Sequence, residues 1–149
     1  MNRDRAWIAA RIPHAGAMCL LDRVIEGDES RIVCAAGSHR DPGNPLRAHG
    51  TLSSVHAIEY AAQAMALHRA FGDDACATPA RGMLTSVRGV TCHVARLDDV
   101  DGELTIEATR LSGDRNIVVY AFDVKSGARL LASGRVSAVL DSDSFGASR

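Results

Sequence analysis

The sequence predicts an α+β domain in which one long helix is wrapped by an antiparallel sheet. Two features carry that prediction. The stretch from Thr51 to Gly72 has a helical pattern and is apolar on almost every side, and a helix of that kind must be covered by other structure. From about Met83 to Leu140 the chain reads instead as strand after strand with turn residues between them, which completes an α+β arrangement. A length of 149 residues suits one domain with a single core. Residues 1–140 are expected to form that domain, and the small polar residues of 141–149 a flexible tail.

Each element follows in order. Residues 4–11, "DRAWIAAR", read as a short helix that Pro13 ends, because a proline disfavours helix in the residue before it. Cys19 to Ile25 and Arg31 to Ala36 are apolar and branched, and the turn "EGDES" between them makes a hairpin. A loop rich in Gly, Pro, Asp and Asn runs from Gly37 to Gly50. The long helix then has Thr51, Ser53 and Ser54 as N-cap candidates and Gly72 as its stop. His68 and Arg69 fall in its last turn, where positive charge suits the dipole. In "GELTIEATRL", Leu104, Ile106 and Ala108 share one face and Thr105, Glu107 and Thr109 the other. "NIVVYAFDV" and "RLLASGRVSAVL" are the last two strands, with "SGDRN" and "KSGAR" as turns. The order is short helix, two strands, long helix, four strands.

Composition narrows the function. A formal charge of −1 leaves no basic field for nucleic acid, and 4% aromatics leave no base-stacking platform. No apolar run approaches the length of a membrane span. The opening "MNRDRAWIAARI" lacks a secretory apolar core, so a cytoplasmic location is expected. Cys19, Cys34, Cys76 and Cys92 form no C-x-x-C pair. They are expected to be reduced core residues rather than zinc ligands or a redox pair.

Two groups of residues stand out chemically. In "IPHAGAMCLLDRV" (12–24), His14 precedes a glycine turn; an imidazole there either caps the turn or serves as a base. In the long helix, His56, Glu59 and Gln63 form one polar stripe, since steps of three and four return to one face. Charged side chains are seldom buried without a partner, so the stripe faces water, a cavity or another subunit. Asp22 and Arg23 are expected to hold strand and loop together. His39, His68 and His93 are expected on solvated or strand surfaces.

Together these motifs resemble the β-hydroxyacyl-[acyl-carrier-protein] dehydratases of hotdog fold. Pro13-His14, a turn, an apolar run and Asp22-Arg23 match the family's start. "IEYAAQAMA" (58–66) is similar to its central helix, with Glu59 and Gln63 four apart. "PHAG" (13–16) and "EYAAQA" (59–64) bring the chain closer to the dehydratase-like proteins associated with aryl polyene synthesis. The helix start departs from the family: "SSVHAIE" stands where a Pro-Gly step is usual, with His56 at an apolar position. His49 precedes the helix as a histidine does in many members.

The resemblance implies dehydration of a 3-hydroxyacyl thioester, borne on acyl carrier protein, to the trans-2-enoyl thioester in fatty-acid-like or polyene synthesis. Such a reaction needs a base that is neutral near pH 7, which histidine supplies. It also needs a carboxyl group at the departing hydroxyl and fixed donors for the enolate-like oxygen. By resemblance His14 is the base and Glu59 acts at the hydroxyl. The N–H groups of Ser54 and Val55 at the helix start hold the thioester oxygen. Gln63 orients Glu59 or a nearby loop, and His56 is structural or lines the pocket rather than catalytic. No metal or redox cofactor is implied; the substrate arrives on a phosphopantetheine arm. Base and carboxylate of one site come from two subunits, so a homodimer or a heterodimer with another hotdog subunit is implied. The altered helix start keeps a second reading open, a non-catalytic helper subunit. An acyl thioesterase on the same fold ranks third, because such enzymes generally lack the Pro-His motif.

Overall fold

The computed structural model describes residues 3–12, 16–71, 82–113 and 116–140. Element order agrees with the sequence reading. Helix α1 (Arg5–Ala9) precedes strands β1 (Arg23–Gly27) and β2 (Arg31–Ala36). Helix α2 (Ala57–Phe71) follows, and then β3 (Gly82–Cys92), β4 (Leu104–Gly113), β5 (Ile117–Ser126) and β6 (Arg129–Leu140). All strand pairs are antiparallel, in one six-stranded sheet of order β1-β2-β4-β5-β6-β3.

The alternation read in β4 is realised: Leu104, Ile106 and Ala108 are buried, and Thr105, Glu107 and Thr109 are partly exposed. Their inner-face neighbours follow from the register. Ile106 lies opposite Cys34 on one side and Val124 on the other. Helix α2 packs chiefly on β4, with β2 and β5 beside it. Its alanines, Ala57, Ala61 and Ala64, are fully buried, and a side chain that small lets the sheet approach closely. No described residue from 57 to 70 is exposed. Each large core side chain buried this way, such as Leu67 or Ile106, contributes roughly 1.5–3 kcal/mol of transfer free energy.

The sheet closes locally around one glycine. A Cβ on Gly134 of β6 would stand 2.9 Å from Val90 Cγ2 and 3.0 Å from the Phe122 ring. The missing side chain is what lets Phe122, on the neighbouring strand, lie across β6.

Three sequence expectations are corrected. Cys19 to Leu21 are not strand; β1 begins at Arg23, because the backbone of Leu20 is bonded to side chains instead of a neighbouring strand. His39 and His68 are buried rather than solvated, and each finds a carbonyl: Val100 for His39, Asp28 for His68. Cys19 and Cys34 are buried as expected, but Cys92 is exposed at the end of β3. The expected tail, 141–149, the stop at Gly72 and Cys76 lie outside the described residues.

Candidate active site

The site is built around the backbone of Leu20, in the run just before β1. Its N–H donates to Gln63 Oε1 of α2 at 2.9 Å. Its carbonyl accepts from Ser38 Oγ at 2.8 Å. One residue thus ties the long helix to the turn that follows β2.

On the helix side Gln63 is fully buried and every one of its polar groups is used. Its Nε2 donates to Met18 O at 2.7 Å and to Glu59 Oε1 at 3.2 Å. Burial of an amide without partners would cost about 1–3 kcal/mol; here the cost is met. The polar stripe therefore splits. Gln63 turns inward as a clamp, while Glu59 and His56 stay half-buried, with the Glu59 carboxylate held at its Gln63 side.

On the turn side, Ser38–Arg40 form a short 3-10 turn whose first residue is uncapped by any side chain. It is fixed from outside. Asp22 Oδ2 accepts the Gly37 N–H at 2.6 Å, so the Asp-Arg motif holds the loop as expected. Asn44 Nδ2 donates to Ser38 O at 2.9 Å and to Tyr60 Oη at 3.3 Å. Arg47 Nη2 donates to His39 O at 3.2 Å. Tyr60 Oη and Ser38 Oγ lie 2.8 Å apart.

His39 sits inside this turn, with no exposed surface. Its Nε2 is 3.1 Å from Val100 O; a carbonyl only accepts, so Nε2 carries the proton. Nδ1 is then a bare lone pair, and it has no hydrogen-bond partner among the described residues. Burial lowers the pKa of His39 below the usual histidine value, against the opposing pull of the Val100 and Gly102 carbonyls. With no exposed surface at either nitrogen, the ring is a structural part of this turn. The sequence reading places it on a solvated surface because a loop of Gly, Pro, Asp and Asn reads as exposed.

The expected oxyanion donors, the N–H groups of Ser54 and Val55, both bond within the chain. The Ser54 N–H donates to Ala95 O at 3.1 Å, and the Val55 N–H to the side chain of the N-cap, Ser53, at 3.3 Å. Leu52 and Ser53 run extended beside Ala95 to Leu97, with Leu97 N–H on Leu52 O at 2.7 Å. Pairing with that loop takes the Ser54 amide, and the N-cap side chain takes that of Val55. Asp98 secures the same join, accepting from Leu52 N–H at 2.8 Å and pairing with Arg96. His49 occupies a two-residue turn with Gly50, both at positive φ, and is exposed. His14 lies outside the described residues; Gly16 and Met18, just beyond it, bond Arg5 and Gln63. Among the described residues no three His, Cys, Asp or Glu side chains gather as a metal site. No described helix is long and apolar enough to cross a membrane.

A long helix held against an antiparallel six-stranded sheet, with a carboxylate on the helix, defines a protein of hotdog fold, the fold of dehydratases and thioesterases alike. The chain belongs to the ApeP-like family, described as ApeP dehydratase, whose model matches residues 6–146. Among solved structures it is similar to a chain of the dehydratase heterocomplex ApeI:P from Xenorhabdus doucetiae. The TM-score is 0.82, the identity 23%, and the match covers 92% of each chain. Zebrafish thioesterase superfamily member 2 matches with a TM-score of 0.64 and 16% identity, over 92% of this chain and 93% of that one. The thioesterase HI1161 from Haemophilus influenzae matches with a TM-score of 0.57 and 16% identity, over 80% and 77%. Likenesses at these identities are likenesses of fold. No curated protein matches.

Proposed function

We propose that the chain dehydrates a 3-hydroxyacyl thioester, carried on acyl carrier protein, to the trans-2-enoyl thioester, in fatty-acid-like or aryl polyene synthesis in the cytoplasm. The observation that carries this reading is the Glu59 carboxylate, half-buried on α2 and bonded by Gln63, whose amide also fixes Met18 and Leu20 in the run that follows His14. Membership of the dehydratase family supports it. A base takes the proton beside the carbonyl, the C–O bond at the β-carbon breaks, and the hydroxyl leaves as water with a proton from the Glu59 carboxyl. The substrate's own phosphopantetheine arm delivers the acyl chain, and no further cofactor enters the step.

The sequence motif gives His14 as the base, while His39 is sealed in the core on the Val100 carbonyl. Mass spectrometry of a 3-hydroxyacyl carrier protein incubated with the protein reads loss of water directly. His14→Ala and Glu59→Ala are each expected to abolish that loss. Retention of full activity in both would sink the dehydratase reading.

A second reading rests on the helix start. With the Ser54 and Val55 amides already bonded, this chain contributes part of a site, and a second hotdog subunit contributes the oxyanion seat. The similar Xenorhabdus doucetiae structure is of a heterocomplex, which supports a partner of that kind. The open edge of β3 suits it too. Leu84 and Val87 face inward, opposite Ala138 and Val136, yet stay 43% and 36% exposed because α2 covers the other half of the sheet. Activity that appears only when a partner is mixed in supports this reading; activity of the chain alone rejects it.

A further inference from the structure

Among the described strands β3 pairs with β6 alone, so its other side is an edge of the sheet. Side chains alternate between the faces of a strand. With Val87 turned inward, Arg88 stands on the outer face, directly opposite Arg135 of β6. The register partner on the far side of Arg135 is Ala121 of β5. The pairs before and after are neutral, Ser86 with Ser137 and Thr91 with Ser133. Asp123 of β5 lies only diagonally across from Arg135. Both arginines are exposed, and among the described residues neither forms an ion pair. Other arginines of the sheet are matched within the chain: Arg31 on β2 bonds Glu107 on β4, and Arg23 bonds Glu103.

Like charges directly opposite each other are destabilising. Two arginines so placed at the last strand pair of a sheet call for carboxylates from beyond its edge. A second copy of this chain, joined β3 to β3, does not bring them. Neither β3, GMLTSVRGVTC, nor β6, RLLASGRVSAVL, holds an Asp or Glu. In every register the joined sheet would carry four arginines on its outer face, with no carboxylate from any of the four strands at the join. The edge is also irregular. Its register shifts between Leu84 and Ser86 and again between Arg88 and Thr91, and Gly89 in the second shift has a φ of 59°. Bulges of this kind blunt an edge against indiscriminate pairing.

We propose that the β3 edge fits a partner strand of different sequence, one that sets Asp or Glu side chains against Arg88 and Arg135 on the outer face. Leu84 and Val87 offer that partner apolar surface on the inner side, and the arginines decide which strand joins. Charge matching of this kind selects between partners by penalising the wrong one. The inference rests on the reading in which a second hotdog subunit completes the site.

A charge-reversed form of this chain, Arg88→Glu with Arg135→Glu, serves as the acidic probe, and sedimentation velocity reads association without any substrate. Wild type alone and the reversed form alone are each expected to self-associate weakly, because like charges meet at the join. Their mixture is expected to associate roughly tenfold more tightly than wild type with itself. Raising the salt to about 0.5 M is expected to weaken the mixture and to strengthen wild-type self-association, since screening removes attraction and repulsion alike. Arg88→Ser with Arg135→Ser, which copies the flanking neutral pairs, is expected to tighten self-association roughly two- to fivefold. Equal association in all samples, or none in the mixture, overturns the inference. A wild-type chain that dehydrates substrate unaided removes the reading of a second subunit, while the charge preference of the edge is decided by the mixture alone.

Discussion

Leu20 and Gln63 hold each other through one short bond, the Leu20 N–H on Gln63 Oε1 at 2.9 Å, 43 residues apart in the chain. Replacing Gln63 by leucine keeps the bulk and removes the polar groups. It leaves the Leu20 N–H and the Met18 carbonyl without their side-chain partner, at a cost of about 1–3 kcal/mol for a buried orphan. Urea unfolding is expected to show a lower midpoint with an unchanged m-value.

Gly134→Ala is expected to destabilise by about 1–3 kcal/mol, the range for overpacking. The added methyl would meet Val90 and the Phe122 ring at 2.9–3.0 Å. Val90 comes from β3, so Val90→Ala removes one of the two clashes. The double variant is expected to melt above Gly134→Ala alone, and thermal denaturation decides it.

Stability is expected to fall as pH drops below about 6.5, the ordinary histidine value. Burial lowers the pKa of both His39 and His68, so the unfolded chain takes up protons there before the folded one does. Unfolding free energy then rises with pH through that window and levels off above it. His68 donates from Nε2 to Asp28 O at 2.8 Å and accepts at Nδ1 from Tyr120 Oη, so its neutral form is fully bonded. His68→Gln is expected to flatten the profile measured by urea titration at pH 8, 6 and 5.

Asp98 acts at the other end of the scale. Its bond with Arg96, aided by the Leu52 N–H, holds its carboxyl well below the usual carboxylate range. A depressed carboxylate contributes stability above its unfolded pKa of about 3.9 and loses it as pH falls toward the folded value. Asp98→Asn is expected to lower stability at pH 7 and to make acid unfolding less steep, as followed by circular dichroism.

Leu84→Asp or Val87→Asp is expected to weaken assembly with a hotdog partner. Each puts a charge on the uncovered inner face of β3. Sedimentation velocity reads the change as a shift toward the single-chain species.

The order of elements was legible because alternation and helical periodicity are local signals. Leu104, Ile106 and Ala108 could be assigned to one face from the sequence alone. The site was legible only in part. Glu59 and Gln63 announced themselves as a stripe on an apolar helix, but which of them turned inward depends on Leu20, which spacing along the helix cannot reveal. Cys19 to Leu21 read as strand because they are apolar. Their backbone is claimed instead by side chains of Gln63 and Ser38. His39 was hidden for the opposite reason, since its neighbours are turn formers and its burial comes from Val100, 61 residues further on. Of the amides expected to be free at the helix start, that of Ser54 goes to a loop that no local pattern connects to it, and that of Val55 to the Ser53 side chain.

The open edge of β3 bears on how the protein behaves in dilute solution. Among the described residues β3 pairs with β6 alone, and the exposed Leu84 and Val87 stand on its apolar side, a surface that invites another strand. If a second subunit completes that sheet, folding and association share one equilibrium, and the melting temperature becomes a reading of concentration as much as of sequence. Supplying the right partner would then raise the melting point of this chain at fixed concentration, and a truncated or charged edge would abolish that dependence.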